Sequence, residues 1–251
     1  MRQLWPDPGE VDDVAGLIAS DSRPSPAGRP WLLVNMVASL DGAIAVEGRS
    51  GALGGPADKL VFSALRGVAD IVLAGAGTVR AEGYGPPRPT DAVRSARTAR
   101  GQTAAPRVAV ITRSLDLDLS SALFASAEAP PLIITCAVAD RTRQDAARTV
   151  ADLVVAGDDD VDLTVALTQL HERGARVVTC EGGPSLNGDL LAADLVDEWD
   201  LTLSPLLVAG DAGRASRGPT LSQPREMRLA RLLESDGVLL TRWVRDRAEP
   251  R

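Results

Sequence analysis

The apolar run Val177–Cys180 stops at Glu181, Gly182, Gly183 and Pro184 before a helical pattern resumes, and no other feature narrows the choice of fold so far. A buried run that ends in a tight glycine turn and passes at once into a helix is a strand-to-helix junction of an α/β layer. The glycines remove the Cβ atoms that would hold a ligand away, and the helix start presents backbone N–H groups, so the same junction suits a phosphate or pyrophosphate. Corner packing alone can also place Gly-Gly-Pro there. A second junction of the same kind follows the run Ala69–Gly75, which passes through Ala76 and Gly77 to Thr78, a candidate N-cap.

The rest of the chain repeats the alternation. Trp31–Val37 is nearly continuous in apolar residues, as a strand buried on both faces is, and Val108–Ile111, Pro131–Thr135 and Asp152–Val155 are shorter runs of the same type. Helical patterns cover Pro56–Arg66, Asp162–Arg173 and Pro184–Ala193, with Pro at the first turn of two of them. Strand patterns at Glu198–Ser204 and Gly237–Val244, separated by a loop from Pro205 to Arg228, fit antiparallel partners. The expected fold is α/β: a single three-layer domain with a mostly parallel central sheet and antiparallel C-terminal edge strands. Residues 1–29 read as a short helix, centred on Glu10–Ala19, and a Pro-rich linker; 30–246 read as the domain, and 247–251 as a tail. Ala43–Val46 reads as a short strand. The Pro- and Arg-rich stretch 83–106 fits either a mobile surface loop or a cationic lid.

Composition removes several function classes. A net charge of −7 over 251 residues leaves no surplus of cations to neutralise a nucleic-acid backbone. No apolar run approaches the ~20 residues of a membrane span, and Asp7, Glu10, Asp12 and Asp13 replace the basic start of a signal peptide, so a cytoplasmic protein is expected. The cysteines Cys136 and Cys180 are isolated and the chain holds one histidine, His171, so neither a zinc cluster nor a nucleophilic triad can be assembled. Chemistry would have to come from an organic cofactor. The junction at Gly75 is not a Rossmann fingerprint, since its sixth position is Arg80, and no P-loop is present.

Taken in order, Val37–Gly42, Leu65–Arg66, Asp70–Val79, Glu181–Pro184, Leu195–Glu198 and Ser204–Leu207 resemble the reductase domain of riboflavin biosynthesis, a dihydrofolate-reductase-like domain, over residues 30–245. The chain has no H-x-E…P-C-x-x-C deaminase signature, so it resembles a stand-alone form of that reductase. The resemblance implies NADPH as cofactor, a ribosylamino-pyrimidine phosphate as substrate with hydride going to ribose C1′, and a homodimer. It implies cofactor contacts at Val37, Ala52, Thr78, Glu82 and the turn Gly183, Pro184, Ser185 and Leu186, and substrate contacts at Ser50, Arg66 and Glu181.

The residues add to this. Two helix starts at neighbouring strand ends, at Gly75, Ala76, Thr78 and Val79 and at Gly182 onward, could hold a pyrophosphate, and Arg113, just past a strand, could take the 2′-phosphate of NADPH. Asn35, an amide inside a buried strand, could satisfy a backbone group or face a substrate. Glu181 and Asp58 are the candidate proton donors; as ordinary residues they would be a turn acceptor and a first-turn helix acid. Where the family carries D-P-x-L-T-x-R this chain reads Gly83–Pro89, which leaves Arg88 as a phosphate contact in shifted register. That departure keeps two alternatives open: a reductase of another planar heterocycle, pteridine-like as in dihydrofolate, or a protein that holds NADPH and reduces nothing.

Overall fold

Short segments at the start of the chain pair with each other and, at long range, with a strand near the end of the described residues. The computed structural model describes residues 1–246, and the expected tail 247–251 lies outside them. Residues 1–29 do more than link. Strand β1 (Arg2–Trp5) and β2 (Gly9–Glu10) join the sheet, and α1 (Val14–Ala19), capped by the Asp13 carboxylate on the Gly16 N–H at 2.8 Å, buries Val14 and Ile18. The segment beyond is pinned: Arg29 grips both oxygens of Asp197, and Arg23 reaches Glu198 at 2.8 Å.

The α/β alternation then runs as the pattern of apolar residues dictates. β3 (Trp31–Ser39), α2 (Pro56–Val68), β4 (Ile71–Gly75), α3 (Ala76–Glu82), α4 (Asp91–Ala99), β5 (Arg107–Ile111) and α5 (Ala122–Ala125) come first. They are followed by β6 (Leu132–Thr135), α6 (Arg141–Arg148), β7 (Asp152–Val155), α7 (Leu163–Glu172), β8 (Val177–Cys180) and α8 (Pro184–Ala192). Strands β9 (Glu198–Ser204), β10 (Arg228–Ser235) and β11 (Val238–Val244) complete the described residues. One sheet holds all these strands in the order β2-β1-β10-β11-β9-β3-β8-β4-β5-β6-β7. From β9 to β7 every neighbour is parallel; from β9 outward through β11, β10, β1 and β2 every neighbour is antiparallel.

Alternation within each strand sorts side chains to two faces. Ile71 and Leu73 of β4 pack with α7 and α8 through Leu167, Leu170 and Leu190, while Val72 and Ala74 face the opposite layer with Val79, Leu123 and Ala147. Beside that second layer α1 and α2 cover Leu33, Leu233 and Leu240. Three layers result, as the apolar pattern requires.

Several local expectations change. Ala43–Val46 is not a strand: Gly42 and Gly48 both take positive φ, the Ser39 hydroxyl accepts from the Ala43 N–H at 2.9 Å, and Val46 pairs only with Arg49. Thr78 does not cap α3, which starts directly behind β4 with Gly75 as N-cap and leaves Thr78 inside the helix. The stretch 83–106 contains α4, and its Arg97 is fully buried. The Arg97 guanidinium donates to the Gly67 and Ala69 carbonyls at 3.1 and 2.6 Å, closing the open end of α2, and burial draws its pKa down to about 10.

The side of β9 under α2 is polar although it is buried. Glu198, Asp200, Thr202 and Ser204 recur at every second residue and none exceeds 6% exposure. Glu198 is ringed by Arg23, Arg242 and the Trp31 indole, which keep it ionised at a pKa far below the usual carboxylate range despite burial. Asp200, buried beside that charge with one oxygen unpartnered, is pushed strongly upward by desolvation and then by Glu198.

Candidate active site

The carboxyl ends of β3, β4 and β8 lie side by side in the sheet, and the turns that leave them meet over the crevice there, where ligands bind in open α/β sheets. The two glycine junctions interlock. The Gly75 N–H donates to the Gly182 carbonyl at 2.8 Å, and a Cβ built on Gly183 would stand 2.7 Å from the Thr78 hydroxyl oxygen. Gly182 takes φ +81°, open to glycine at little strain, and its peptide bond to Gly183 is cis. Both α3 and α8 have glycine N-caps whose first turns receive no side-chain hydrogen bond.

A cavity of about 450 Å³ opens at this junction. Asn35 and Val37 of β3, Ser50 from the following loop, Asp58 of α2, and Thr78 and Glu82 of α3 line it together with Glu181, Gly183 and Pro184. These separate sequence expectations therefore fall into one place. The Ser50 N–H donates to Glu82 at 3.0 Å and ties the loop to α3. Gly75, Leu186 and Arg113 line an adjoining cleft of about 520 Å³, and Ala76 and Arg113 line a further one of about 660 Å³ with Arg80 and Arg143.

Other expected positions stand apart. Val79 points into the core at 7% exposure, so its side chain cannot reach a ligand. Ala52 and Arg88 are exposed outside these cavities. Ser185 is exposed and accepts from Arg217 at 3.1 Å. Gly182 contributes its backbone, through the bond to Gly75.

Glu181 sits at 4% side-chain exposure in a bidentate pair with Arg66, Nε to Oε1 and Nη2 to Oε2, each at 2.7 Å. The Tyr84 hydroxyl donates to the same Oε2. The Arg66 guanidinium lies over the Phe62 ring at 4.3 Å and near Tyr84 at 5.5 Å. Burial pulls the Arg66 pKa down, but its bonds and charge contact with Glu181 outweigh this and the net shift is upward. Burial, followed by the Glu181 charge, pushes the Tyr84 phenol well up, so it stays a donor. With both oxygens receiving donors, Glu181 acts as an acceptor that braces the wall, which argues against its use as the proton donor.

Asp58 is the contrasting carboxyl. It lines the cavity, burial raises its pKa, and its bond to the Thr202 hydroxyl and the Lys59 charge pull back only part of that shift. Of the two candidates it is the one suited to carry a proton. Tyr84, Phe62 and Lys59 were not singled out by sequence reasoning. A usable signal existed for two of them, since Tyr84 is the single tyrosine and Lys59 the single lysine of the chain.

Comparison with known proteins places the chain in a family. The chain is 29% identical to a protein of Archaeoglobus fulgidus named 2,5-diamino-6-ribosylamino-4(3H)-pyrimidinone 5′-phosphate reductase, over 72% of this chain and 83% of that one. It is 32% identical to a protein of the same name from Methanothermobacter thermautotrophicus, over 74% and 82%. Among solved structures it is similar to a pyrimidine reductase-like protein from Corynebacterium diphtheriae, with a TM-score of 0.78, 27% identity, and coverage of 87% of this chain and 93% of that one. The model of the RibD C-terminal domain matches residues 30–240, and the chain belongs to that family.

Proposed function

We propose that this protein is an NADPH-dependent reductase of a ribosylamino-pyrimidine phosphate, with hydride delivered to ribose C1′. The observation that carries the reading is the interlocked pair of glycine junctions at Gly75 and Gly182–Gly183, opening on a cavity that also holds Asp58 and the Glu181 brace. Relatives named as reductases of such a substrate support it.

The junctions fit a dinucleotide. Uncapped first turns at α3 and α8 leave N–H groups for a pyrophosphate, and a Cβ on Gly77 would meet nothing within 4 Å, so the surface there is open to a close ligand. Arg80, Arg113 and Arg143 around the adjoining cleft supply bidentate donors for a 2′-phosphate. NADPH, when bound, supplies the hydride. What remains for the chain is to bind, align and exclude water, and to manage one proton. Opening the ribosylamine ring needs a proton at its ring oxygen, and Asp58, whose pKa burial raises, is the carboxyl placed to hold that proton inside the cavity. The Arg66–Glu181–Tyr84 cluster fixes the wall against which the substrate rests.

The chain is further proposed to work as a cytoplasmic homodimer. Leu40, Leu206 and Leu207 are exposed at 61%, 42% and 78%, and the Leu40 N–H bonds the Leu206 carbonyl, which makes one apolar patch. No described helix is long and apolar enough to cross a membrane. Sedimentation of wild type and Leu207→Glu tests the dimer; a monomeric wild type would refute it.

NADPH oxidation measured with the ribosylamino-pyrimidine phosphate, and separately with dihydrofolate, tests the reaction. Turnover of the first supports it, turnover of dihydrofolate alone moves the assignment to the other heterocycle, and tight NADPH binding without oxidation of either identifies a non-catalytic holder.

A further inference from the structure

Helix α3 ends in a way that turns one side chain back into the cavity. Gly83 closes the helix with a φ of +63°, and the next N–H, that of Tyr84, returns to the Val79 carbonyl at 3.1 Å. Tyr84 then lines the 450 Å³ cavity beside Glu181, and its hydroxyl reaches Glu181 Oε2.

The direction of that bond decides what else the hydroxyl can do. Glu181, paired with Arg66 through both oxygens, is a carboxylate with no proton of its own, so the hydrogen between it and Tyr84 belongs to the phenol. Burial and the Glu181 charge keep that phenol protonated. A tyrosine hydroxyl has one hydrogen, and once Glu181 holds it the oxygen offers only lone pairs to anything else. Donation to an anion also polarises the O–H bond and makes the oxygen a stronger acceptor. A ligand carbonyl or ether oxygen at this point would set lone pairs against lone pairs, whereas an N–H or O–H would be received.

The arrangement is held firmly. Glu181 cannot swing away to free the phenol, because Arg66 grips it at 2.7 Å on each oxygen and the guanidinium is itself laid on the Phe62 ring at 4.3 Å. Asn35, Ser50, Asp58 and Glu82 bring further acceptor oxygens to the same lining. A ligand that meets these groups well is one with N–H and O–H donors. As a mere filler beside Glu181, Tyr84 would affect every ligand of the cavity alike; as an acceptor, it affects only those that present a donor to it.

We propose that Tyr84 is a specificity-determining residue of this cavity: its hydroxyl, locked as a donor onto Glu181, accepts a hydrogen bond from an N–H or O–H group of the substrate. The proposal rests on the reductase reading for the identity of that substrate, in which ring amino groups and sugar hydroxyls are the two sources of such a donor. In steady-state assays, Tyr84→Phe should raise KM for the full substrate by about tenfold, with a smaller fall in kcat. Analogues lacking a ring amino group or a sugar hydroxyl identify the source. On the analogue that has lost the group Tyr84 receives, the same substitution should leave KM within about twofold. An equal rise for every analogue, or no rise for the full substrate, overturns the proposal.

If the wild type reduces neither the ribosylamino-pyrimidine phosphate nor dihydrofolate, the reductase reading fails, and a binding measurement decides on Tyr84 alone. Because the chain has a single tyrosine, an isotopic label at the tyrosine Cζ gives one NMR resonance. With NADPH present, 2,5-diaminopyrimidin-4-one or ribose 5-phosphate should shift that resonance, according to which presents the donor. The ring 2,4-dimethoxypyrimidine, which has acceptors only, should leave it in place. A resonance unmoved by both donor probes, or moved as far by the acceptor-only ring, overturns the proposal.

Discussion

Arg66 and Glu181, 115 residues apart in sequence, meet through two parallel hydrogen bonds of 2.7 Å across the end of the sheet. The pair links α2 to the turn after β8, so the wall of the cavity is an ion pair and not a packed apolar surface. Removing one partner strands the other. Arg66→Met should destabilise the protein by about 2–3 kcal/mol, at the lower end for buried pairs because Arg66 is a quarter exposed. Combining it with Glu181→Leu should recover most of that stability without recovering activity. Urea unfolding and steady-state rates on the two single variants and the double variant check both halves; additive losses of stability would show that the pair does not act as a unit.

Gly183→Ala tests the interlocked junction. Its φ of −79° suits alanine, so the whole effect comes from a Cβ placed 2.7 Å from the Thr78 hydroxyl. NADPH affinity should fall by about tenfold, near 1.4 kcal/mol, with Thr78→Ala added to Gly183→Ala restoring part of it. Titration of cofactor fluorescence measures both, and unchanged affinity in Gly183→Ala would remove this turn from the cofactor site.

Asp58 governs the pH profile if it carries the proton. Burial raises its pKa, and only the protonated form can donate, so turnover should fall as pH rises through that raised value. Asp58→Asn should lower kcat by about 100-fold or more and abolish the alkaline limb. A limb that survives in the variant would assign it to another group.

Asp200 makes the opposite kind of claim, one about stability. Its folded pKa lies well above the unfolded value of about 3.9, so its neutral form is favoured by the fold. Its contribution is fully present below the unfolded pKa, is lost as pH climbs from there to the folded pKa, and stays lost above. Asp200→Asn imitates the neutral acid and should gain stability over wild type across that interval, reaching a constant difference beyond it. Unfolding curves from acid to mildly alkaline pH give the comparison; a difference independent of pH would show that the fold leaves the Asp200 pKa unshifted.

The parallel half of the fold was legible because β4, β5, β6 and β8 are continuous apolar runs, and burial on both faces leaves that trace in any window. Strands β1 and β2 leave none, since Arg2–Trp5 alternates too briefly and one of its two partners, β10, lies at the far end of the described residues. Helix α4 was hidden by its arginines, because nothing local says that Arg97 is buried to close the end of another helix. At the site, the glycine junctions could be read from their neighbours. The Arg66–Glu181–Tyr84 cluster could not, because it exists only once three distant segments are brought together.

The position of β1 has a consequence for synthesis. Arg2 lies opposite Glu234, 232 residues later, so β1, which has β2 close by on one edge, waits for β10 on the other. Until β10 is made that second edge stays unpaired, and the closing of the antiparallel half must await it, a long loop to close and a slow step. A cell making this protein quickly would meet the aggregation risk at its N-terminal strands, ahead of the apolar core.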